Sequence, residues 1–135
     1  MSNHSTRTTH TAHNIGVGQH LGTYSDAIET AADLRWLFTA GTPGLSSEGL
    51  LAEDFGGQAH QAWTNILAVL EAAEMSVEDI VKVNTSLVRP EDIEANAAVR
   101  ATFLGDARPA LMLSIVGQLV RPDILIEVEV IAARA

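Results

Sequence analysis

Two glutamates near the C-terminus are the residues whose type and spacing best suit acid–base chemistry. Glu127 and Glu129 are separated by one residue, so in a β-strand they lie on the same face. A carboxylate in water stays ionised at neutral pH, whereas burial in a cleft raises its pKa and lets it exchange a proton with a substrate. The sequence leaves two interpretations open: solvated acids on an exposed or edge strand, or a proton-exchanging acid in an interface cleft.

The composition excludes several other kinds of chemistry. The chain has 135 residues and no cysteine, which rules out disulfides, thiolate nucleophiles and iron–sulfur clusters. A Schiff-base mechanism could use only the single lysine, Lys82. No phosphate-binding glycine loop or metal-ligand motif is found, so neither a metal nor an organic cofactor is expected. His60 falls on a predicted helix, where a surface role is favoured over catalysis.

The balance of charge limits the partners. Eight basic residues face seventeen acidic ones, which gives a formal net charge of −9. Proteins that bind nucleic acid need clusters of Lys and Arg, so nucleic acid is not expected as a partner. No apolar run reaches the roughly 18 residues of a membrane-spanning helix, and the N-terminus has no apolar signal-peptide core. A cytoplasmic protein without membrane contact is therefore expected.

The elements that position these residues follow from hydrophobic periodicity. Residues 1–20 are polar and are expected to form a flexible arm, whereas residues 21–135 form one domain. Trp63 belongs to the apolar stripe of the first helix and is expected in the core, and Arg100 falls on the stripe of the second. The predicted helices are 55–74 and 91–104, and the predicted strands are 24–30, 34–39, 80–88, 110–116 and 124–132.

This order of elements predicts an α+β fold with two helices on one face of a sheet. The link 117–123 predicts that the last two strands form a hairpin. The other face of the sheet carries too many Val, Ile, Leu and Met residues to face water, so we expect another subunit to cover it.

Several short segments of the chain match motifs of a known protein family, in the same order and with natural spacing. From about residue 22 to the C-terminus, this series resembles the RidA/YjgF family, which is also called L-PSP endoribonuclease-like. The segments that carry the resemblance are Leu21–Tyr24, Thr39–Thr42, Ala62–Ile66, Asp79–Lys82, Glu94–Asn96, Arg108–Ala110 and Ile126–Ala132.

The resemblance implies a chorismate-mutase-like fold whose mixed sheet packs as a trimeric barrel, with small-molecule clefts between the subunits of a homotrimer. It also implies hydrolysis of reactive enamines and imines, such as 2-aminoacrylate, to 2-keto acids and ammonia without a cofactor. The net charge opposes the ribonuclease role that the older family name suggests. A non-catalytic homotrimer that binds a metabolite or a partner protein is the alternative.

The resemblance also implies roles for individual residues. Glu127 stands where the family's acid positions or activates water, and Tyr24 stands at the pocket tyrosine, so these two are the candidate catalytic residues. Asn96 matches the pocket asparagine that helps to orient the substrate. Gly41 matches the turn glycine that lets a backbone amide approach the substrate.

Two positions depart from the family pattern. Ala40 replaces the serine before the turn glycine, and Leu111 replaces the arginine that holds the substrate carboxylate in a bidentate pair. Loss of that pair is expected to weaken carboxylate binding by about 10- to 1000-fold. Arg108 cannot take over, because a shift of one residue turns its side chain to the other face of the strand. Arg35 or Arg121 could reach the cleft from another element.

The pocket is therefore predicted to be less basic and more apolar than the family norm. Leu111, Ala40, Trp36 and Met112 are the residues expected to shape it. Its ligand either lacks a carboxylate or binds it in another way, and efficient turnover of 2-aminoacrylate is not expected.

Overall fold

The computed structural model describes residues 10–135 of the chain. Short 3-10 turns at Gly18–His20, Val77–Asp79 and Pro90–Asp92 connect some of its elements. The strands and helices are β1 (Thr11–His13), β2 (Ala27–Glu29), β3 (Arg35–Phe38), β4 (Thr42–Pro43), α1 (Phe55–Ala72), β5 (Ile80–Leu87), α2 (Ile93–Leu104), β6 (Ala110–Ile115) and β7 (Ile126–Arg134).

A mixed sheet with the strand order β3-β7-β5-β6 forms the centre of the fold. β7 is antiparallel to β3 and β5, and the short β4 also pairs with β7. β6 lies at the edge and is parallel to β5. α1 packs against β7 and α2, which places the helices together over one face of the sheet. The predicted α+β fold with two helices on one sheet face is confirmed.

The prediction of a hairpin between the last two strands is wrong. β6 pairs with β5 over the register Lys82↔Ala110 to Leu87↔Ile115, while β7 pairs with the opposite side of β5. α2 supplies the crossover that a parallel pair requires. The connection 116–125 then passes the end of β5 and enters β7. Glu127 and Glu129 therefore lie on a central strand, and the edge-strand interpretation of these acids does not hold.

The hydrophobic core lies between the sheet and the helices. Along β7, buried residues alternate with half-buried ones, as expected for a strand with one face on the core. Trp63 of α1 is 0% exposed and stacks on Phe103 of α2 with ring centroids 6.1 Å apart. The prediction that Trp63 is a core residue is confirmed. The core also includes Ile66, Leu70, Val83, Leu87, Ile126, Val128 and Val130.

A small second sheet precedes the main one. β1 pairs antiparallel with β2 from Thr11↔Glu29 to His13↔Ala27. The Asp26 carboxylate accepts hydrogen bonds from the backbone N–H groups of Ile15 (2.8 Å) and Gly18 (2.7 Å). Part of the predicted arm, residues 10–20, thus includes β1 and the Gly18–His20 turn. Its first nine residues lie outside the described residues.

The sheet face opposite the helices carries exposed apolar side chains. Trp36 is 40% exposed, Phe38 is 68% exposed and Met112 is 58% exposed. In the single chain this face is therefore open, and the pairing register places on it, beside Met112, the polar residues Asn84, Ser86, Glu127 and Glu129 of the central strands. The prediction that Val, Ile, Leu and Met dominate this face is wrong, because most of those side chains alternate onto the helix side and belong to the core. Between residues 10 and 135, no helix combines the length and the apolar character that crossing a membrane requires.

Candidate functional site

The Glu127 carboxylate lies directly over Gly41. A Cβ atom at Gly41 would come within 2.5 Å of Glu127 Oε1, so any side chain at position 41 would displace the carboxylate. The contact arises because β4 pairs with β7 in the register Pro43↔Glu127, two residues after Gly41. The sequence predicted a role for both residues, and the structure brings these two together.

A hydrogen-bonded clamp holds this part of the chain against α1. Asn65 Nδ2 donates to the carbonyl oxygens of Pro43 (3.0 Å) and Leu45 (2.8 Å). Gly44 is buried between them, and a Cβ there would collide with the backbone of Gln58. Since the helix fixes residues 43–45, the preceding turn with Gly41 is held in place beside Glu127.

The two carboxylates of β7 differ in their partners. Glu129 accepts a hydrogen bond of 2.7 Å from Asn84 Nδ2 on the neighbouring β5. For Glu127, no described residue donates a hydrogen bond or forms an ion pair. A carboxylate that no cation neutralises keeps its full capacity to accept a proton or orient a water molecule. Of the pair, Glu127 is therefore the one available for chemistry.

A second group of candidate residues lines a cavity of about 280 Å³ at the edge of the sheet. Leu111 and Tyr24 both border it, so the structure brings together two further residues that the sequence singled out. Thr85 contributes a hydroxyl from β5. The remaining wall comes from the helix side and the edge strand, and consists of Leu21, Ile93, Ala97, Arg100, Met112 and Leu113.

Tyr24 reaches this cavity because its segment is attached to the edge strand. Ser25 forms an isolated parallel bridge with Ala110, and its backbone N–H donates to the carbonyl of Pro109 at 3.2 Å. The Ser25 hydroxyl donates to the carbonyl oxygen of Arg108. The edge strand thereby holds Tyr24 one residue away from a fixed backbone junction, beside Leu111.

Asn96 lies beside the cavity wall rather than on it. Its side chain is 1% exposed, and neither Oδ1 nor Nδ2 has a hydrogen-bond partner among the described residues. Its helical neighbours Ile93 and Ala97 do line the cavity. A buried amide without a partner is costly, so the unused donors and acceptor of Asn96 are notable.

Ala40 and Trp36 are not among the residues that line this cavity. The Ala40 carbonyl accepts hydrogen bonds from the hydroxyls of Thr39 (3.0 Å) and Thr42 (2.9 Å), which shape the turn before β4. Trp36 stacks on Phe38 across the open sheet face, with centroids 6.3 Å apart. In the single chain, Glu127 and Gly41 likewise lie outside the cavity that Tyr24 and Leu111 border.

Arg100 lines the cavity, although the sequence pointed to Arg35 and Arg121 as the arginines that could reach it. The two arginines considered are engaged elsewhere: Arg35 donates to the Ala73 carbonyl at 3.0 Å, and Arg121 pairs with Asp123 at 2.8 Å. Arg100 instead borders the cavity from α2, where burial lowers the pKa of its guanidinium. The signal was present in the sequence, since a charged residue on an apolar helix stripe is itself unusual.

Metal binding has no support in the part of the chain that the structure describes. Within residues 10–135, no three His, Asp or Glu side chains are placed so that they could hold one ion. His60 lies at the surface with its ring edge against Phe103, at a centroid distance of 5.0 Å. The polar groups of the two candidate regions are the Glu127 carboxylate, the Tyr24 phenol and the Arg100 guanidinium.

Comparisons with known proteins place the chain in a family. The sequence profile of the endoribonuclease L-PSP family matches residues 18–134. A RutC family protein of Pyrococcus horikoshii is 34% identical over 114 residues, which cover 83% of this chain and 87% of that relative. A 2-iminobutanoate/2-iminopropanoate deaminase of Salmonella typhimurium is 37% identical over 92 residues, which cover 64% of this chain and 69% of that enzyme.

A solved structure supports the same assignment. The crystal structure of YyfB, a protein of unknown function in the Rid family of Yersinia pestis, is similar with a TM-score of 0.82 and 27% identity. The match covers 93% of this chain and 99% of the other. The resemblance to RidA/YjgF proteins is thus confirmed, and the chain belongs to the endoribonuclease L-PSP family.

Proposed function

We propose that this protein hydrolyses the imine or enamine form of a small metabolite to a carbonyl compound and ammonia, without a metal or organic cofactor. The observation that carries the proposal is the Glu127 carboxylate, which lies unpaired over Gly41. The deaminase of Salmonella typhimurium, which is named for two 2-imino acids, is 37% identical over 92 residues and supports the choice of reaction.

In the proposed reaction, water adds to the carbon of the C=N bond. Glu127 accepts a proton from the attacking water and delivers it to the imine nitrogen as the carbon–oxygen bond forms, which leaves Glu127 ionised again. The resulting carbinolamine then collapses: its hydroxyl proton passes to Glu127, the C–N bond breaks, and the proton moves to the departing nitrogen to give ammonia. Tyr24, which borders the cavity, orients the substrate, as the family resemblance implies, whereas Asn96 does not line the cavity of the single chain.

The proposed site requires more than one subunit. Glu127 and Gly41 lie outside the cavity bordered by Tyr24 and Leu111, and the sheet face with the exposed Trp36, Phe38 and Met112 is open in the single chain. A homotrimer with clefts between its subunits would cover that face and bring the two groups of residues together. Light scattering tests this step: we expect the mass of three chains, and a mass near the 14.4 kDa of one chain would contradict it.

The reaction itself is tested by ammonia release from a panel of imines generated in solution, with and without a carboxylate. We expect the protein to accelerate release from at least one of them above the rate in buffer. If every imine decays at the buffer rate, the alternative is favoured, in which the trimer binds a metabolite or a partner protein without catalysis. The buffer rate must be measured for each compound, since imines also hydrolyse spontaneously.

Introducing the missing strand arginine is expected to increase activity on short imino acids. In Leu111→Arg, the added guanidinium can pair with the substrate carboxylate in the cavity, and we expect kcat/KM for 2-iminopropanoate to rise at least about 10-fold. Ile115→Arg is the matched control, because it adds the same charge to the same strand outside the residues lining the cavity. A folded Leu111→Arg protein with no gain would contradict the assignment of position 111.

Filling the space at position 41 is expected to impair catalysis. In Gly41→Ala the new methyl group displaces the Glu127 carboxylate, and a misplacement of about 1 Å costs roughly 100-fold in rate. Gly117→Ala is the control, because a Cβ there meets no atom within 4 Å. The check is kcat for ammonia release by both variants at equal folded concentration. Equal rates for the two variants would show that the position of this carboxylate does not matter.

A further inference from the structure

Arg100 stands out among the arginines of the described chain. Its side chain is half-buried at the cavity wall, and it makes no hydrogen bond or ion pair with any residue from 10 to 135. The other arginines in that range all donate at least one hydrogen bond to a carboxylate or carbonyl oxygen, namely Arg35, Arg89, Arg108, Arg121 and Arg134. Arg89 and Arg108 also border cavities, but both are already hydrogen-bonded, whereas the unpaired Arg100 borders the cavity that Tyr24 and Leu111 line.

The environment of Arg100 favours an anion as its partner. Burial lowers the pKa of the guanidinium, yet arginine stays protonated in proteins, so the charge remains and loses part of its hydration. A partly desolvated cation without a partner is unfavourable, and a bound anion removes that cost. Seventeen acidic residues are available in the chain, and none within the described part is placed beside this guanidinium.

The rest of the cavity indicates what accompanies the anionic group. Most of its lining is apolar, with Leu111 and Leu113 on the edge strand facing Ile93 and Ala97 on α2. Its volume of about 280 Å³ is at the small end of ligand pockets, enough for a compact organic molecule. A bare inorganic anion would leave this apolar wall without contacts.

We propose that Arg100 binds the carboxylate of a small organic acid whose branched apolar side chain packs on Leu111 and Leu113. This inference rests on the proposed function for the identity of the reacting group, and it names the substrate class as 2-imino acids with aliphatic side chains. Arg100 then takes the task of the absent strand arginine, but from α2. Leu111 then contacts the branched side chain of the substrate, which short imino acids do not have.

The test is a binding titration of the full chain with stable 2-oxo acids, which have the carboxylate and side chain of the expected products. By calorimetry we expect 4-methyl-2-oxopentanoate to bind about 10-fold or more tightly than pyruvate, because its additional methyl and methylene groups contact the apolar wall. Arg100→Gln should weaken binding of 4-methyl-2-oxopentanoate by about 10- to 100-fold, since a charge-assisted bidentate pair is lost. Arg100→Lys should restore part of the loss.

Two controls make the result specific. Arg121→Gln removes the same charge from an exposed pair with Asp123, and it should leave the affinity for 4-methyl-2-oxopentanoate unchanged. The neutral ketone 4-methyl-2-pentanone, which lacks the carboxylate, should bind equally to the wild type and to Arg100→Gln. Equal affinity of both proteins for the acid, or no binding of the acid to the wild type, would overturn the proposal. The proposal would also be overturned if Arg100→Gln changed the mass of the oligomer but not the affinity for the acid. The guanidinium would then act in a contact between subunits.

Ammonia release separates this inference from the proposed function. If the acid binds through Arg100 but no imine is hydrolysed, the binding role stands and the enzymatic proposal fails. If imines of aliphatic 2-oxo acids are hydrolysed at equal kcat/KM by the wild type and Arg100→Gln, the enzymatic proposal stands and the role of Arg100 is wrong.

Discussion

Glu127→Gln is expected to lower the rate of ammonia release by about 100- to 10,000-fold, the range that general acid–base catalysis contributes. Glutamine has nearly the same shape as glutamate, so it can occupy the space over Gly41 without steric conflict. Its amide cannot accept a proton from water at neutral pH and cannot return one to the departing nitrogen. The loss should therefore fall on kcat, with KM changed much less.

Glu129→Gln is the matched control for this prediction. It lies two residues away on the same strand face, and its carboxylate already accepts a hydrogen bond from Asn84 at 2.7 Å. A glutamine there can still accept that bond through its amide oxygen, so we expect a rate within a few-fold of the wild type. Steady-state ammonia assays on both variants, with circular dichroism spectra to show that they are folded, decide the matter. Equal losses in the two variants would remove the special role of Glu127.

Leu70→Ala is expected to lower the free energy of unfolding by about 2–5 kcal/mol, through lost apolar burial and the cavity left behind. Leu70 is 1% exposed and belongs to the core between α1 and the sheet. Because α1 also carries the Asn65 clamp on residues 43–45, weakening this helix should loosen the turn that supports the candidate site. Urea denaturation followed by circular dichroism measures the change.

Leu67→Ala provides the comparison on the same helix. Leu67 is 36% exposed, so the identical substitution removes less buried surface and should cost about 1 kcal/mol or less. Protein concentration must be held constant, since association of subunits adds to apparent stability. If the two leucine variants unfold at the same urea concentration, the packing of α1 on the sheet is not as described.

The helices of this fold could be predicted closely because their signal is local. The apolar stripe through Trp63 predicted a helix over 55–74, and α1 spans Phe55–Ala72. Strand pairing instead depends on residues that are far apart in the sequence. Alternation in residues 124–132 predicted the strand and its buried face, but it carries no information on which strand lies beside it. The predicted hairpin therefore failed where α2 makes β5 and β6 parallel partners.

The candidate site could also be predicted only in part: its residues could be named from the sequence, but their grouping could not. Motif resemblance identified Glu127, Gly41, Tyr24 and Leu111, and the structure joins them as two separate pairs. A position in a motif does not tell which side of the sheet a side chain faces, so the grouping could not be predicted. The sequence places Arg100 on the apolar stripe of the second helix and gives no sign of what it faces. Only the structure shows that Arg100 on α2 and Leu111 on the edge strand line the same cavity.

The separation of these two pairs has a consequence for how such a protein can diverge. Glu127 and Gly41 are held by strand pairing between β4 and β7 and by the clamp from Asn65. The cavity beside Arg100 is built from side chains of α2 and the edge strand. Substitutions in the cavity can therefore change which ligand it fits while the contact between Glu127 and Gly41 stays intact. Under the proposed function, moving an arginine from a strand to a helix would change the substrate without changing the residues proposed for proton transfer.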